Sequence, residues 1–380
     1  MAIVAKFSST APARLATRLT FFTAGFAMAS CAPLFPFVKN NVGADATQFG
    51  LLLLCFGLGS IIAMPLTGFV AARHGPRSMV LLGGFGLIIF LPPLTIAETP
   101  FILGFFLFLF GASLGTIDVA MNIHGVAVES QENRSLMSNF HAQFSIGGLF
   151  GAGLVTLLLS VGVSLVMTAI IGAAVALLAM LFTVPRLLRV SVAEQSRFVL
   201  PHGIVLLLGL LAAIAFLVEG AVLDWGALLV IDRQLATPQS AGIGYILFSA
   251  AMVIARLTGD RIVGVLGEFW VLILGGIITI LGIATVLLAA LPSVALVGFV
   301  LIGLGSANLV PIFFSAAGRQ KVMPASLAIA SVTTTAYAGV LIGPAMIGFA
   351  ADLTSLPVAF WLLALLIAFV PFTAYLVAKH

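Results

Sequence analysis

Charged side chains are scarce in this chain. Only 7% of its 380 residues are Asp, Glu, Lys or Arg, whereas apolar residues make up 62%. A soluble domain usually carries about 25% charged residues, so the composition excludes an ordinary water-soluble protein. Apolar segments of roughly 18 residues or more indicate membrane-spanning helices, because about 20 residues cross a ~30 Å hydrocarbon core.

Cysteine and the common catalytic motifs are also missing. The two cysteines, Cys31 and Cys55, lie inside apolar segments and support neither a disulfide nor a metal pair. The absence of a phosphate-binding loop excludes ATP drive, and no basic and aromatic cluster suggests nucleic-acid binding. His124 and His141 leave an intramembrane enzyme open, but no histidine-glutamate zinc motif joins them. We therefore expect no catalytic residues, metal or cofactor.

Twelve apolar segments are long enough to span a membrane, and they predict an all-α membrane protein. The predicted spans are 19–38, 47–71, 78–97, 101–127, 138–160, 164–184, 203–230, 239–263, 269–290, 294–317, 326–350 and 356–378. An even number of spans places both termini on one side. All 16 Lys and Arg residues except Lys39 and Arg233 fall on that side. The positive-inside rule therefore predicts cytoplasmic termini in a bacterial-type inner membrane.

The chain also repeats itself. Seven glycines of the first half have a glycine 192 positions later, where composition alone predicts about two such matches. The pairs include Gly75 with Gly267, Gly111 with Gly303, and Gly147 with Gly339. We predict two pseudo-symmetric six-helix halves, residues 1–190 and 200–380, joined by a polar cytoplasmic linker at 185–202. Tandem six-helix halves are typical of secondary transporters whose solute site lies between the halves.

The loop after the second span carries a family motif. Gly68-Phe-Val-Ala-Ala-Arg73-His-Gly75-Pro-Arg77 resembles the cytoplasmic loop motif of the major facilitator superfamily. The motif's aspartate is replaced by Ala72. The related stretch of the second half keeps an acid, in Gly259-Asp260-Arg261. The resemblance implies a cytoplasmic gate formed by residues of both loops: Gly68, Arg73, Arg77, Arg256, Asp260 and Arg261.

Three further stretches resemble a narrower branch, the MosC/YbjJ type. They are the segments Gly111 to Asn122, His141 to Gly147, and Glu219 to Trp225. That branch is named for a rhizopine transport protein, so the resemblance implies a small polar solute, such as a cyclitol, sugar or amine. An efflux pump for amphiphiles is the alternative, although Leu107 and Ala152 replace an arginine and a proline of drug antiporters.

Ionisable groups inside a bilayer usually face a cavity or a partner, since each costs about 2.5–3.5 kcal/mol at its centre. Glu219 lies near the middle of the seventh span and is the first candidate for solute binding or proton coupling. Asp118 and His141 lie at similar depths toward the cytoplasm, so they could pair or bond backbone carbonyls. Further hydrogen-bonding candidates in the spans are Asn122, Asn308 and Tyr337.

Arg256 and Asp260 stand four residues apart near the inner end of the eighth span. This spacing predicts an intrahelical ion pair with Arg261 beside it, serving as a cytoplasmic anchor. Together these observations predict a monomeric secondary transporter that rocks two halves around a midplane site. Its partners would be a small solute, coupling protons and the lipid bilayer. A sensor built on a transporter scaffold remains a further alternative.

Overall fold

A computed structural model describes residues 10–44, 46–189, 200–236 and 243–379. These residues form helices and connecting turns and contain no strand, so the all-α prediction is confirmed. The central part of the predicted linker, residues 190–199, lies outside the described residues. The chain divides into two compact units, Met1–Leu136 with Gln143–Phe198, and Met137–Ala142 with Val199–His380. The second unit thus includes the first turn of a helix whose remaining residues belong to the first.

The first unit contains the helices that carry the first six predicted spans. They are α1 (Ala11–Cys31), α2 (Phe35–Asn41), α3 (Ala46–His74), α4 (Pro76–Phe90), α5 (Pro100–Glu132), α6 (Met137–Ser160, from Gln143 onward) and α7 (Leu165–Thr183). The helix α5 packs against α3 and α4, while α1 packs against α7.

The second unit carries the other six spans. Its helices are α8 (Ile204–Asp232), α9 (Ile243–Leu288), α10 (Pro292–Ser306), α11 (Leu309–Arg319), α12 (Ala325–Leu353), α13 (Leu356–Ile367) and α14 (Phe369–Ala378). The helix α9 packs against α10, and α8 packs against α12.

Ten helical stretches of the described residues are long and apolar enough to cross a membrane. One of them, α9, covers two predicted spans, because Gly267 interrupts it with a left-handed φ of 79°. The predicted eleventh span contains a shorter apolar helix, Ala325–Val340. The predicted twelve-span architecture is therefore confirmed.

Prolines explain most interruptions of these helices. The helix α1 ends before a 3-10 turn at Ala32–Leu34, and α4 ends before another at Pro92–Thr95. Proline removes a backbone donor and crowds the preceding turn, so an α-helix tends to break near it. Pro65 is an exception, because α3 continues through it. The second half has its own interruption between α10 and α11, which shapes the site described below.

Glycines related by the 192-residue offset make matching contacts in the two units. Gly111 lies directly against the backbone carbonyl of Phe56, and Gly303 lies against that of Phe248. Phe56 and Phe248 are themselves 192 positions apart. A similar match holds for backbone conformation, since φ is 78° at Gly75 and 79° at Gly267. The repeat therefore specifies where helices approach closely and where the chain must turn with a positive φ.

Candidate functional site

The tenth predicted span is broken near its middle. The helix α10 ends at Ser306 and α11 begins at Leu309, so Ala307 and Asn308 form the break. Pro311 explains it, because an ordinary residue there would donate its N–H to the carbonyl of Ala307, four residues earlier. Ala307 is fully buried, and a buried carbonyl without its helical partner needs another donor.

Arg256 on α9 supplies that donor. Its Nε donates to the Ala307 carbonyl at 3.1 Å, and its Nη2 donates to Oε1 of Glu219 at 2.9 Å. The side chain of Arg256 is 6% exposed and that of Glu219 is 20% exposed. A guanidinium presents several donors in a rigid planar fork, so one side chain can hold both acceptors. The result is a mostly buried ion pair between α8 and α9 that also satisfies the broken helix.

Arg256 therefore has a partner that its spacing along α9 does not predict. The four-residue spacing predicts an ion pair with Asp260, whereas the structure joins Arg256 to Glu219. Asp260 accepts hydrogen bonds from two backbone amides, at 3.0 Å from Ser138 N and 3.1 Å from Asn139 N. The predicted pairing of Arg256 with Asp260, one helical turn further along α9, stays a prediction.

The contact of Asp260 is a helix cap supplied from another helix. The first turn of α6, Met137–Ala142, belongs to the same compact unit as Asp260. The first N–H groups of a helix lack helical partners and carry a partial positive charge, so a carboxylate stabilises them. The adjacent Gly259 allows this approach, because a side chain at that position would collide with Ser138 and Asn308.

Asn308 fastens the break to α9 at a second point. Its Nδ2 donates to the carbonyl of Ala255 at 3.3 Å. Its Oδ1 is buried without a hydrogen-bond partner and lies against Gly259. The break in the tenth span is thus held by two neighbouring residues, Ala307 through Arg256 and Asn308 through Ala255.

Three other predicted site residues, Asn122, His141 and Tyr337, make hydrogen bonds or ring contacts within their own units. In the first unit, Nδ2 of Asn122 donates to the Asp118 carbonyl at 2.9 Å and to its Oδ1 at 3.4 Å. In the second unit, the buried His141 ring lies 5.6 Å from the Phe314 ring. Asp118 and His141 belong to different units, and their pairing stays a prediction. Tyr337 packs edge-on against Phe216, with ring centroids 6.4 Å apart.

The predicted gate residues of the first half lie around the end of α3 and the start of α4. Arg73 stacks over the Phe69 ring at 4.1 Å, and Nη2 of Arg77 donates to the Val184 carbonyl at 3.4 Å. Gly68 is buried, while Arg261 in the second half is exposed. Ala72, which replaces the motif's aspartate, is fully buried and offers no carboxylate to a helix terminus.

His124 has a role that the sequence alone does not indicate. Its Nε2 accepts a hydrogen bond from the backbone N–H of Leu188 at 2.9 Å, and its Nδ1 lies 2.9 Å from Oγ1 of Thr17. Because Nε2 accepts, the neutral ring carries its proton on Nδ1 and donates it to Thr17. Thr17 in turn donates to the Ala13 carbonyl at 2.9 Å. His124 thereby anchors the start of the predicted linker. Among the residues that the structure describes, no group of three or more His, Cys, Asp or Glu could hold a metal ion.

Comparison of the sequence with known proteins identifies the family of the chain. The Major Facilitator Superfamily profile matches residues 19–321. The chain belongs to the Major Facilitator Superfamily. It is 46% identical over 369 residues to an uncharacterized MFS-type transporter of Yersinia pestis, with 96% of each chain covered. It is 30% identical to Membrane protein MosC of Rhizobium meliloti, over 90% of this chain and 84% of MosC.

A solved superfamily structure supports the same fold. A variant of the E. coli fucose:proton symporter FucP matches with a TM-score of 0.77 at 18% identity. The match covers 97% of this chain and 99% of FucP. The family membership indicates a multi-pass membrane transporter rather than an enzyme, and it agrees with the resemblance carried by the loop motif and by the MosC-like stretches.

Proposed function

We propose that this superfamily member moves a small polar solute, of the cyclitol, sugar or amine class, across the inner membrane by alternating access. Proton movement through Glu219 drives the transport. Its 30% identity to MosC supports a relationship to that branch, and the fold it shares with a fucose:proton symporter supports a polar solute and proton coupling.

The observation that carries the proposal is the Glu219–Arg256 ion pair. A carboxylate and a guanidinium 2.9 Å apart, in helices long and apolar enough to span a membrane, cost free energy to desolvate. Such residues inside a membrane usually serve ion or solute movement. The 20% exposure of the Glu219 side chain leaves it accessible, so it can bind a proton and release it. Asp118, Asn122, His141, Asn308 and Tyr337 are proposed to contribute to solute or proton binding.

The solute class is tested first by ligand binding. Purified protein is screened by thermal shift against cyclitols, sugars, amines and amino acids, and the hits are tested for uptake into proteoliposomes with an imposed proton gradient. We expect polar, uncharged or amine-bearing solutes to stabilise the protein and to accumulate. The proposal would be wrong if only amphiphilic drugs stabilise the protein and a proton gradient drives their extrusion. The protein would then be an efflux pump.

Glu219→Gln tests the coupling residue. Glutamine keeps the shape of the side chain but cannot change charge, so gradient-driven accumulation should be lost while solute exchange and binding persist. Asp352→Asn is the matched control, because Asp352 is an exposed carboxylate at the end of α12 in the same unit. If Glu219→Gln accumulates solute normally, Glu219 is not the coupling residue. Asp118→Asn would then be tested with the same assays.

We further propose that Gly68, Arg73, Arg77, Asp260 and Arg261 belong to a cytoplasmic gate, with Arg256 at its inner edge. The cap that Asp260 forms on Ser138 and Asn139 supports the second-half contribution. Both termini would be cytoplasmic and the protein would work as a monomer. Native mass spectrometry from detergent would show a dimer if the monomer proposal is wrong.

A further inference from the structure

We infer that Arg256 is a positioning residue that transmits the charge state of Glu219 to the break between α10 and α11. The inference rests on the proposed function, because it takes Glu219 as the residue that binds the proton. Beyond the proposed function, the segment around Ala307 and Asn308 is inferred to move, and Arg256 is inferred to link Glu219 to that segment. The link is one guanidinium that donates to both Glu219 and Ala307.

Arg256 supplies the broken helix with a donor that its own backbone lacks. Pro311 cannot donate to Ala307, so Arg256 replaces the missing intrahelical hydrogen bond with one from α9. The broken helix then depends on a side chain of a neighbouring helix at this point. A shift of the guanidinium leaves a buried carbonyl unsatisfied, which favours rearrangement of the break.

The carboxylate of Glu219 in turn holds Arg256 in place. The contact between them is charge-assisted, and such hydrogen bonds are roughly twice as strong as neutral ones. When Glu219 binds a proton, its carboxyl group becomes neutral, and the contact loses the attraction between opposite charges. The contact that holds Arg256 to Glu219 is then weakened, and Arg256 can leave Ala307.

The equivalent positions of the first half carry neither this ion pair nor this break. The positions 192 residues before Glu219, Arg256 and Pro311 hold Ala27, Met64 and Val119. The helix α5, which corresponds to α10 and α11, runs unbroken from Pro100 to Glu132. The ion pair and the break therefore occur together in the second half, and the equivalent positions of the first half have neither. This is expected if the ion pair and the break act together.

The helices packed around this ion pair carry other ionisable groups. Of the helices packed against α8, α10 and α13 carry none, and α14 carries Tyr375. On α9, α11 and α12 the remaining ionisable groups are Tyr245, Asp260, Arg261, Glu268, Arg319, Tyr337 and Asp352. His141, near the start of α6, lies against the Phe314 ring of α11. On α8 itself stand Asp224 and Asp232.

Hydrogen–deuterium exchange of the full-length protein tests the link directly. The amides of residues 305–313 report on the break, and those of residues 113–121 in α5 are the internal control. Glu219→Gln imitates the protonated carboxyl group, and Arg256→Gln removes the link. Both should raise exchange at 305–313 by about tenfold, as expected for one lost charge-assisted hydrogen bond. Both should leave 113–121 unchanged, and Asp352→Asn should change neither segment.

Pro311→Ala provides a test that leaves every charge in place. Alanine restores the N–H that can donate to Ala307, so the break no longer needs Arg256. Exchange at 305–313 should fall below the wild-type rate, and adding Glu219→Gln should now change it by less than twofold. An increase in the double variant equal to that of Glu219→Gln alone would overturn the inference.

Transport assays separate this inference from the proposed function. Arg256→Lys keeps the charge but lacks the planar fork, so we expect solute binding to persist and gradient-driven accumulation to be lost. If Glu219→Gln abolishes accumulation while exchange at 305–313 stays at the wild-type rate, the link is wrong and the coupling role of Glu219 stands. If exchange responds but accumulation is normal in Glu219→Gln, the coupling role fails.

Discussion

Arg256 shows how one side chain can satisfy two otherwise costly groups. A carboxylate inside a membrane needs a partner, and a buried carbonyl next to a proline needs a donor. The guanidinium reaches both, at 2.9 Å and 3.1 Å. A lysine at this position would present a compact ammonium group and could not reproduce the fork.

At the same scale, Asp260→Asn tests the cap on α6. Asparagine keeps the size of the side chain but loses the negative charge that faces the helix terminus, so the variant should be destabilised by about 1–2 kcal/mol. Amide exchange at Ser138 and Asn139 should rise together, since both donate to the carboxylate. Wild-type exchange at these two amides would show that Asp260 does not hold the turn.

His124→Ala tests the anchor of the predicted linker. The substitution removes the acceptor of the Leu188 amide and the partner of Thr17, which should lower stability by about 1–3 kcal/mol. Proteolysis near Leu188 should become faster. His74→Ala serves as the control, because His74 is exposed. Equal proteolysis of the two variants would contradict the assignment.

Among the elements, the pairs of crossing helices depend on glycine at equivalent places. Gly111→Ala and Gly303→Ala each direct a methyl group into a backbone carbonyl of the neighbouring helix. Because a backbone cannot yield as a flexible side chain does, each variant should lose about 1–3 kcal/mol of stability. Thermal unfolding in detergent measures the loss.

The control for this pair is Gly153→Ala on α6, where an added methyl group meets nothing within 4 Å. Alanine has a higher helix propensity than glycine, so this variant should be neutral or more stable by up to ~1 kcal/mol. A loss at Gly153 equal to that at Gly111 would mean that the close approach of backbones is not the cause.

At the scale of the whole molecule, the distribution of positive charge predicts the topology. We expect Glu98→Cys to react with a membrane-impermeant maleimide in intact cells, and Lys321→Cys to react only after permeabilisation. Both positions are exposed, and the reporters are made in a background without Cys31 and Cys55. Labelling of Lys321→Cys in intact cells would contradict the proposed orientation.

The whole molecule also shows that the repeat does not extend to the charged groups. The two units share glycine contacts and the positive-φ turns at Gly75 and Gly267. The ion pair at Glu219, however, is replaced by apolar residues in the first half. Close helix packing at glycine is thus common to both halves, whereas the Glu219–Arg256 ion pair belongs to the second half.

The sequence by itself determined the class of protein, the twelve spans and the repeat. These follow from local or periodic properties: apolar length, the positions of Lys and Arg, and glycines at a fixed offset. The motif around Gly68 and Asp260 also identified the superfamily. The depth of Glu219 in the seventh span marks it as a candidate, because a charge near the middle of an apolar span is costly wherever its partner lies.

Only the tertiary structure decided which groups meet. Spacing along α9 favours an Arg256–Asp260 pair, but it does not indicate that Arg256 bonds Glu219 and Ala307 or that Asp260 bonds the start of α6. These partners lie 37, 51 and 122 residues away along the chain. Side-chain periodicity cannot indicate such contacts, because they depend on how separate helices pack and on which backbone groups a proline leaves without a partner.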